Sequence, residues 1–138
     1  MQLRELEQLP PGLLDLSCDA LHAELGGPTL LHLRGQREPA LFVSVLLHGN
    51  ETTGWEAVRR WLRLYQPGGG ERALPRSLSL FVGNTAAAAQ GMRRLDGQPD
   101  FNRVWPGGEH TDTAEGRLVR QVVERMAAGD RKSGSAGM

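Results

Sequence analysis

The chain has 138 residues, which is enough for one domain. Sixteen Lys and Arg residues balance sixteen Asp and Glu residues, and a formal net charge of zero gives no electrostatic reason to expect a nucleic-acid partner or an anionic membrane. A single cysteine, Cys18, excludes an internal disulfide, and no apolar stretch reaches the roughly 20 residues of a membrane helix. We therefore expect a cytoplasmic protein in which Cys18 is a buried thiol.

The first part of the chain is weakly patterned. Leu3, Leu6 and Leu9 fall at roughly helical spacing, and the Pro-Pro pair that follows them would end such a helix. The first clear strand is predicted at residues 29–33, where a short apolar run precedes a turn.

Residues 41–47 form the most apolar segment of the sequence. Because this segment is almost continuously apolar, we expect a strand covered on both faces, as in a parallel sheet. A helix is predicted next, because apolar side chains recur on one helical face at Trp55, Val58, Leu62 and Tyr65. A glycine run at residues 68–70 is interpreted as a linker, and a second buried strand is predicted at 77–82.

The last third of the chain is predicted to hold a short helix, a long loop and a final helix. The short helix is expected at residues 85–90, and residues 91–113 carry no periodic pattern, which is typical of a functional loop. The final helix is expected to begin near Thr113, and residues 133–138 are predicted to be a disordered tail. This order of elements predicts an α/β fold, with a mostly parallel or mixed sheet flanked by helices.

His48 and Glu51 are the first candidates for chemistry. They follow the most apolar strand and precede a helix, the position at which open α/β sheets place ligand sites. Three positions apart across a tight turn, an imidazole and a carboxylate can converge on one cation, and this donor pair suits zinc. The same residues are also compatible with a histidine that closes the strand and a glutamate near a helix N-terminus.

The second candidate lies in the long loop, where Asp100-Phe101-Asn102-Arg103 follows Arg93 and Arg94. An amide beside a planar guanidinium is well matched to a substrate carboxylate. An ordinary salt bridge between Asp100 and an arginine would explain part of the same pattern.

Taken together, these segments resemble the succinylglutamate desuccinylase/aspartoacylase family of the zinc carboxypeptidase superfamily. The resemblance rests on four ordered motifs between residue 41 and about residue 125. They are His48-Gly-Asn-Glu51-Thr-Thr-Gly54, Gly83-Asn84, Gly91-Met-Arg-Arg94 and Asp100-Phe-Asn-Arg103.

The resemblance implies a zinc-carboxypeptidase-like fold and a Zn²⁺-dependent hydrolase that cleaves the amide bond of a small N-acyl amino acid. His48 and Glu51 resemble the first two zinc ligands of the family. Arg94, or alternatively Arg93, resembles the arginine that polarises the scissile carbonyl.

The same resemblance assigns the substrate carboxylate to two neighbouring residues, Asn102 and Arg103. It also implies that Asp100 orients an arginine by contacting that arginine rather than the substrate.

Members of the family are longer than this chain, and their third zinc ligand, a histidine, and their general base, a glutamate, lie further along the sequence. The resemblance therefore implies that residues 1–138 are a partial, truncated catalytic domain that is inactive by itself. It also implies an exposed sheet edge, through which copies of the chain would self-associate. Two other functions stay open: a carboxypeptidase-like peptidase, and a non-catalytic fragment that binds a carboxylate or a partner.

Overall fold

The computed structural model describes residues 2–65 and 73–137, with side chains described as far as residue 129. The strands are β1 (Arg4–Leu6), β2 (Thr29–Leu33), β3 (Leu41–Val45) and β4 (Leu78–Val82). The helices are α1 (Leu21–Leu25), α2 (Thr53–Arg63), α3 (Thr85–Ala89) and α4 (Ala114–Gly137), the last with side chains described as far as residue 129. The linker predicted at 68–70 lies outside the described residues, whereas residues 133–137 of the predicted tail belong to α4.

The four strands form one mixed sheet in the order β1-β2-β4-β3. β1 runs parallel to β2 and β3 runs parallel to β4, whereas β2 and β4 are antiparallel. The predicted α/β fold, with a mixed sheet flanked by helices, is confirmed.

Helices cover both faces of the sheet. Successive residues of a strand point to opposite faces, so Leu30 and Leu31 belong to different sides of β2. Leu30 and Phe81 pack with Leu118 of α4, and Leu31 lies in the larger cluster that contains Trp55 of α2. That larger cluster also takes buried side chains from α1 and α3. The result is three layers, with α4 on one face and the other helices on the opposite face.

The prediction that residues 41–47 form a strand covered on both faces is wrong. The strand covers Leu41–Val45 and pairs with β4 alone among the described strands, so it is an edge strand, with Leu41 53% exposed and Phe42 36% exposed. The central position belongs to β4, in which all five residues are buried. Apolar composition does not distinguish the two positions, because strand order depends on how the connections cross the sheet.

The helix predicted from the spacing of Leu3, Leu6 and Leu9 does not form. Residues 4–6 form β1 instead, and Arg4 Nη1 donates to the Leu25 carbonyl at 2.7 Å. Pairing with β2 supplies hydrogen bonds that a short helix before two prolines could not match, so tertiary structure overrides the local pattern. No helix of the described residues is long and apolar enough to cross a membrane.

Candidate active site at the carboxyl end of β3

His48 is placed by a sharp departure of the chain from β3. Leu46 has φ 57°, a left-handed conformation that is strained for a leucine. The conformation is held because the Leu46 side chain is buried and its carbonyl accepts from the Asn84 amide at 2.7 Å. His48 therefore leaves the sheet at a fixed angle, at the end of the strand where a ligand site was predicted.

Gly49 brings the turn into close contact with the segment that follows β4. A Cβ at this position would lie 2.5 Å from the Ala88 nitrogen and 2.5 Å from the Met92 carbonyl oxygen, and the Gly49 amide donates to the Arg93 carbonyl at 2.9 Å. Glycine is required here by the close approach of two backbones rather than by an unusual φ.

The His48 and Glu51 side chains meet. His48 Nδ1 contacts Glu51 Oε1, and the Glu51 amide donates to the His48 carbonyl at 3.1 Å. The His48 side chain is only 12% exposed, whereas the Glu51 side chain is 65% exposed. The structure thus brings together the two residues that the spacing suggested, with the imidazole enclosed and the carboxylate open to the cleft.

Asp100 lies on the other side of the imidazole. His48 Nε2 is 2.8 Å from both carboxylate oxygens of Asp100, whose side chain is 8% exposed. The Asn102 amide donates to the same carboxylate at 2.8 Å. Burial by itself would raise the pKa of Asp100, but the hydrogen bonds from Asn102 and His48 hold that pKa below its ordinary value. Asp100 is therefore an anion that fixes the orientation of the His48 ring.

Asp100 is predicted to orient an arginine, and Arg93 Nη2 lies 3.3 Å from its carboxylate. The contact with His48 was missed. It joins residues 52 positions apart, and no local pattern in the chain signals it.

The arginines of the loop line a cavity of about 450 Å³, which we call the arginine cavity. It is lined by Arg93, Arg94, Asp100, Arg103, Glu109 and His110. Because Asp100 also contacts His48, the cavity adjoins the His48–Glu51 pair.

The predicted substrate-binding residues differ in their positions. Arg103 lines the arginine cavity, whereas Asn102 is exposed and is tied to the site through its backbone amide. Within residues 2–65 and 73–129, no hydrogen bond or ion pair engages the guanidinium group of Arg94 or Arg103. Two guanidinium groups are thus available to an anion.

Glu109 and His110 complete the cavity, and sequence reasoning did not place them there. Their loop has no periodic pattern. His110 beside Glu109 in a glycine-rich loop is compatible with a ligand, but an exposed loop histidine is the more frequent explanation of such a sequence.

The loop itself is fastened to β4 through Asn84. The Asn84 side chain accepts from the Ala87 amide at 3.2 Å, which caps α3, and donates to Gln98 Oε1 at 2.7 Å. Gln98 Oε1 also accepts from the Leu95 amide at 3.1 Å. A buried residue at the end of the central strand thus holds the segment that carries the arginines.

The side chains of this site are of the kinds that bind metal ions. An imidazole whose far nitrogen is held by a carboxylate, next to a second carboxylate, is the arrangement that zinc sites use. In the part of the chain that the structure describes, however, no group of three or more His, Cys, Asp or Glu side chains could hold a metal ion.

A sequence model of the succinylglutamate desuccinylase/aspartoacylase catalytic domain matches residues 37–133, well over half of the chain. The chain belongs to this family. The succinylglutamate desuccinylase/aspartoacylase domain is a hydrolytic catalytic domain, and the matched residues include every side chain of the site described above. Comparison with curated proteins and with solved structures gives no significant match.

Proposed function

We propose that the site binds Zn²⁺ through His48 and Glu51 and serves the hydrolysis of the amide bond in an N-acyl amino acid. The observation that carries the proposal is the line of contacts Asp100–His48–Glu51 beside the arginine cavity. Family membership supports the reaction class, and two unpaired guanidinium groups support an anionic substrate.

His48 and Glu51 would hold the metal, with Nδ1 of His48 as the donor atom because Nε2 faces Asp100. When bound, Zn²⁺ would act as a Lewis acid toward the amide carbonyl and lower the pKa of water. Asp100 is a positioning residue: its buried carboxylate keeps the His48 ring in one orientation.

Arg103 is the proposed partner of the substrate carboxylate, with the exposed Asn102 amide group beside it. A guanidinium binds a carboxylate through two parallel hydrogen bonds, which fixes orientation as well as charge. Arg94 is the proposed group that stabilises the negative charge developing on the carbonyl oxygen. Arg93 is less suited to this role because Asp100 already engages it.

The same proposal limits what the 138-residue chain does by itself. Catalytic zinc sites use three protein ligands, and the described residues bring together two candidate ligands. We propose that this chain binds Zn²⁺ weakly and shows little or no turnover. We also propose a reducing, cytoplasmic compartment, which agrees with the free thiol of Cys18.

The test measures the binding of N-acetyl-aspartate and N-succinyl-glutamate to the chain. We expect Arg103→Ala to weaken binding of both compounds about tenfold or more, as the loss of a charged hydrogen-bonded pair does. Arg60→Ala is the matched control, because Arg60 is an exposed arginine of α2 outside the cavity. Binding that Arg103→Ala leaves unchanged would contradict the proposal. Tighter binding of a blocked dipeptide than of either N-acyl amino acid would favour the peptidase.

A further inference from the structure

Two amide side chains, those of Asn84 and Gln98, join the end of the central strand to the loop that carries the arginines. Asn84 is 2% exposed, and its Oδ1 accepts from the Ala87 amide, so its Nδ2 is left to donate to Gln98 Oε1 at 2.7 Å. Gln98 Oε1 also accepts from the Leu95 amide at 3.1 Å, and the Gln98 amide donates to the Leu95 carbonyl at 3.0 Å. Gln98 therefore closes a turn at residues 95–98, and Asn84 fixes that turn to β4.

This turn lies between two residues of the arginine cavity. Arg94 comes directly before it, and Asp100 comes two positions after it. Among the described residues, Asn84 is the one hydrogen-bond partner that residues 94–99 have outside their own segment. The guanidinium group of Arg94 has no hydrogen-bond or ion-pair partner in the same part of the chain. Its position in the cavity therefore depends on the backbone of this turn.

Arg103 is held by other contacts. Its amide donates to the Asp100 carbonyl at 2.9 Å, and its carbonyl accepts from the Glu109 amide at 2.7 Å. Neither of these bonds involves the turn at residues 95–98. If the turn loses its link to β4, we expect Arg94 to be displaced while Arg103 stays in place.

The backbone of Asn84 holds the other half of the site. Its amide donates to the Leu46 carbonyl at 2.7 Å, and Leu46 is the left-handed residue at which the chain departs toward His48. One buried residue thus contacts the turn that places His48 through its main chain and the turn that places Arg94 through its side chain. Because the main-chain bond does not need the side chain, a substitution of Asn84 can break the second link and keep the first.

We propose that Asn84 and Gln98 are positioning residues that set the location of Arg94 relative to His48. Neither is among the residues that line the arginine cavity, so both act through Arg94. This inference rests on the proposed function, in which Arg94 stabilises the negative charge that develops on the carbonyl oxygen. Loss of the Asn84–Gln98 hydrogen bond should therefore weaken the binding of a ligand that carries negative charge at this oxygen far more than the binding of the uncharged amide.

The test compares two ligands of the 138-residue chain in zinc-free buffer by isothermal titration calorimetry. One is N-acetyl-aspartate, and the other is its phosphonamidate analogue, in which a tetrahedral, negatively charged phosphorus group replaces the amide carbonyl. Gln98→Met is a neutral change of similar size that removes the accepting oxygen. We expect it to weaken binding of the phosphonamidate about tenfold, as the loss of a hydrogen bond to a charged group does, and binding of N-acetyl-aspartate no more than about twofold. Arg94→Ala should give the same pattern.

Three further variants show whether the effect depends on the hydrogen bond and on Arg94. Asn84→Ser removes the donor to Gln98 but keeps a hydroxyl that can cap α3, and it should reproduce the selective loss. In the Arg94→Ala chain, adding Gln98→Met should cause no further loss, because the residue through which Gln98 acts is gone. Gln90→Met changes an exposed glutamine directly after α3; it is the matched control and should leave both affinities unchanged.

Each other outcome decides a different claim. If Gln98→Met leaves binding of the phosphonamidate unchanged, or weakens both ligands equally, while binding still depends on Arg103, the positioning role is overturned and the proposed function stands. A further loss in the double variant also overturns the positioning role. Failure of the original chain to bind either ligand, or binding that does not depend on Arg103, overturns the proposed function and this inference with it. Thermal unfolding checks that each variant is folded, and Asn84→Ser carries the comparison if Gln98→Met is not.

Discussion

Nε2 of His48 lies 2.8 Å from each carboxylate oxygen of Asp100, although 52 positions separate the two residues in the chain. The contact joins the turn after β3 to the loop after α3. Asp100 is buried, and its carboxylate also accepts a hydrogen bond from the Asn102 backbone amide. The carboxylate is therefore a rigid support for the imidazole.

Loss of this support is expected to weaken metal binding. Asp100→Asn replaces an anion with a neutral amide, and changes of this kind behind a metal-binding histidine typically cost about 10–100-fold in affinity. Competition with a chromophoric chelator measures the Zn²⁺ dissociation constant. Asp96→Asn is the control, because Asp96 is an exposed residue of the same loop. Equal affinities of the two variants would show that Asp100 does not act through His48.

Gly49→Ala is expected to destabilise the fold by about 2 kcal/mol, the cost of forcing an extra methyl into a closed space. The new Cβ would lie 2.5 Å from backbone atoms of residues 88 and 92, which cannot move aside as a side chain would. Urea unfolding measures the change. Gly54→Ala is the matched control: its Cβ would meet the Val45 side chain at 3.3 Å, and a helical alanine is favoured by up to about 1 kcal/mol. Equal effects of the two changes would refute the close-approach argument.

At acid pH, we expect the fold to lose a stabilising contribution from Glu5. Burial alone would raise the pKa of Glu5, but its hydrogen bonds with Arg125 and His32 lower this pKa below its ordinary value. A carboxyl group whose pKa is lowered in the folded state stabilises the fold at pH values above its ordinary pKa. This stabilisation is lost as the pH falls through the folded-state pKa. Because Glu5 is largely exposed and its ion pairs are screened by solvent, Glu5→Gln should cost only about 0.5 kcal/mol at neutral pH, and progressively less below about pH 4.

Urea unfolding at neutral and acid pH measures this difference, with Glu24→Gln as an exposed control. A cost that stays constant across the acid range would contradict the assignment.

The two edges of the sheet differ in charge, and we propose that the β3 edge pairs with a second copy of the chain. β1 carries Arg4 and Glu5 at its edge, whereas β3 carries no charged residue. The Leu41 amide donates to the Ser77 carbonyl, and the Val45 carbonyl accepts from the Gly83 amide, so both groups point toward β4. Successive residues of a strand point their backbone groups in alternate directions, so those of Phe42 point away from β4. A formal net charge of zero adds no repulsion between copies.

Light scattering over a range of concentrations tests this pairing. We expect Leu41→Lys to reduce the association, because a charge on an edge strand opposes pairing. Leu64→Lys, at an exposed leucine after α2, should leave it unchanged. A mass that stays monomeric in the original chain would contradict the proposal.

Local patterns predicted the elements that depend on local sequence. The strand expected at 29–33 is β2, and the helix expected from the spacing of Trp55 and Leu62 is α2, with both side chains buried. Cys18 is buried, as expected. The identity of the edge strand and the existence of β1 depend on pairing between distant segments, which periodicity does not report.

The residues of the candidate site also divide into those that local sequence predicts and those that depend on distant contacts. His48 and Glu51 share a turn, so their spacing alone indicated that they could meet. The support from Asp100 and the place of His110 depend on how a loop without regular structure folds against the sheet, and sequence reasoning had no means of deriving either one.

The loop of residues 90–113 is anchored by Asn84 at one end and by the first turn of α4 at the other. Between Arg103 and that anchor, Val104 and Trp105 pack against Phe81 of the central strand, whereas Glu109 and His110 line the cavity. Because Glu109 and His110 are exposed and lie outside both core clusters, their side chains can be exchanged with little effect on the scaffold. A change of ligand preference that keeps His48, Glu51, Asp100 and Arg103 would therefore be sought first at Glu109 and His110.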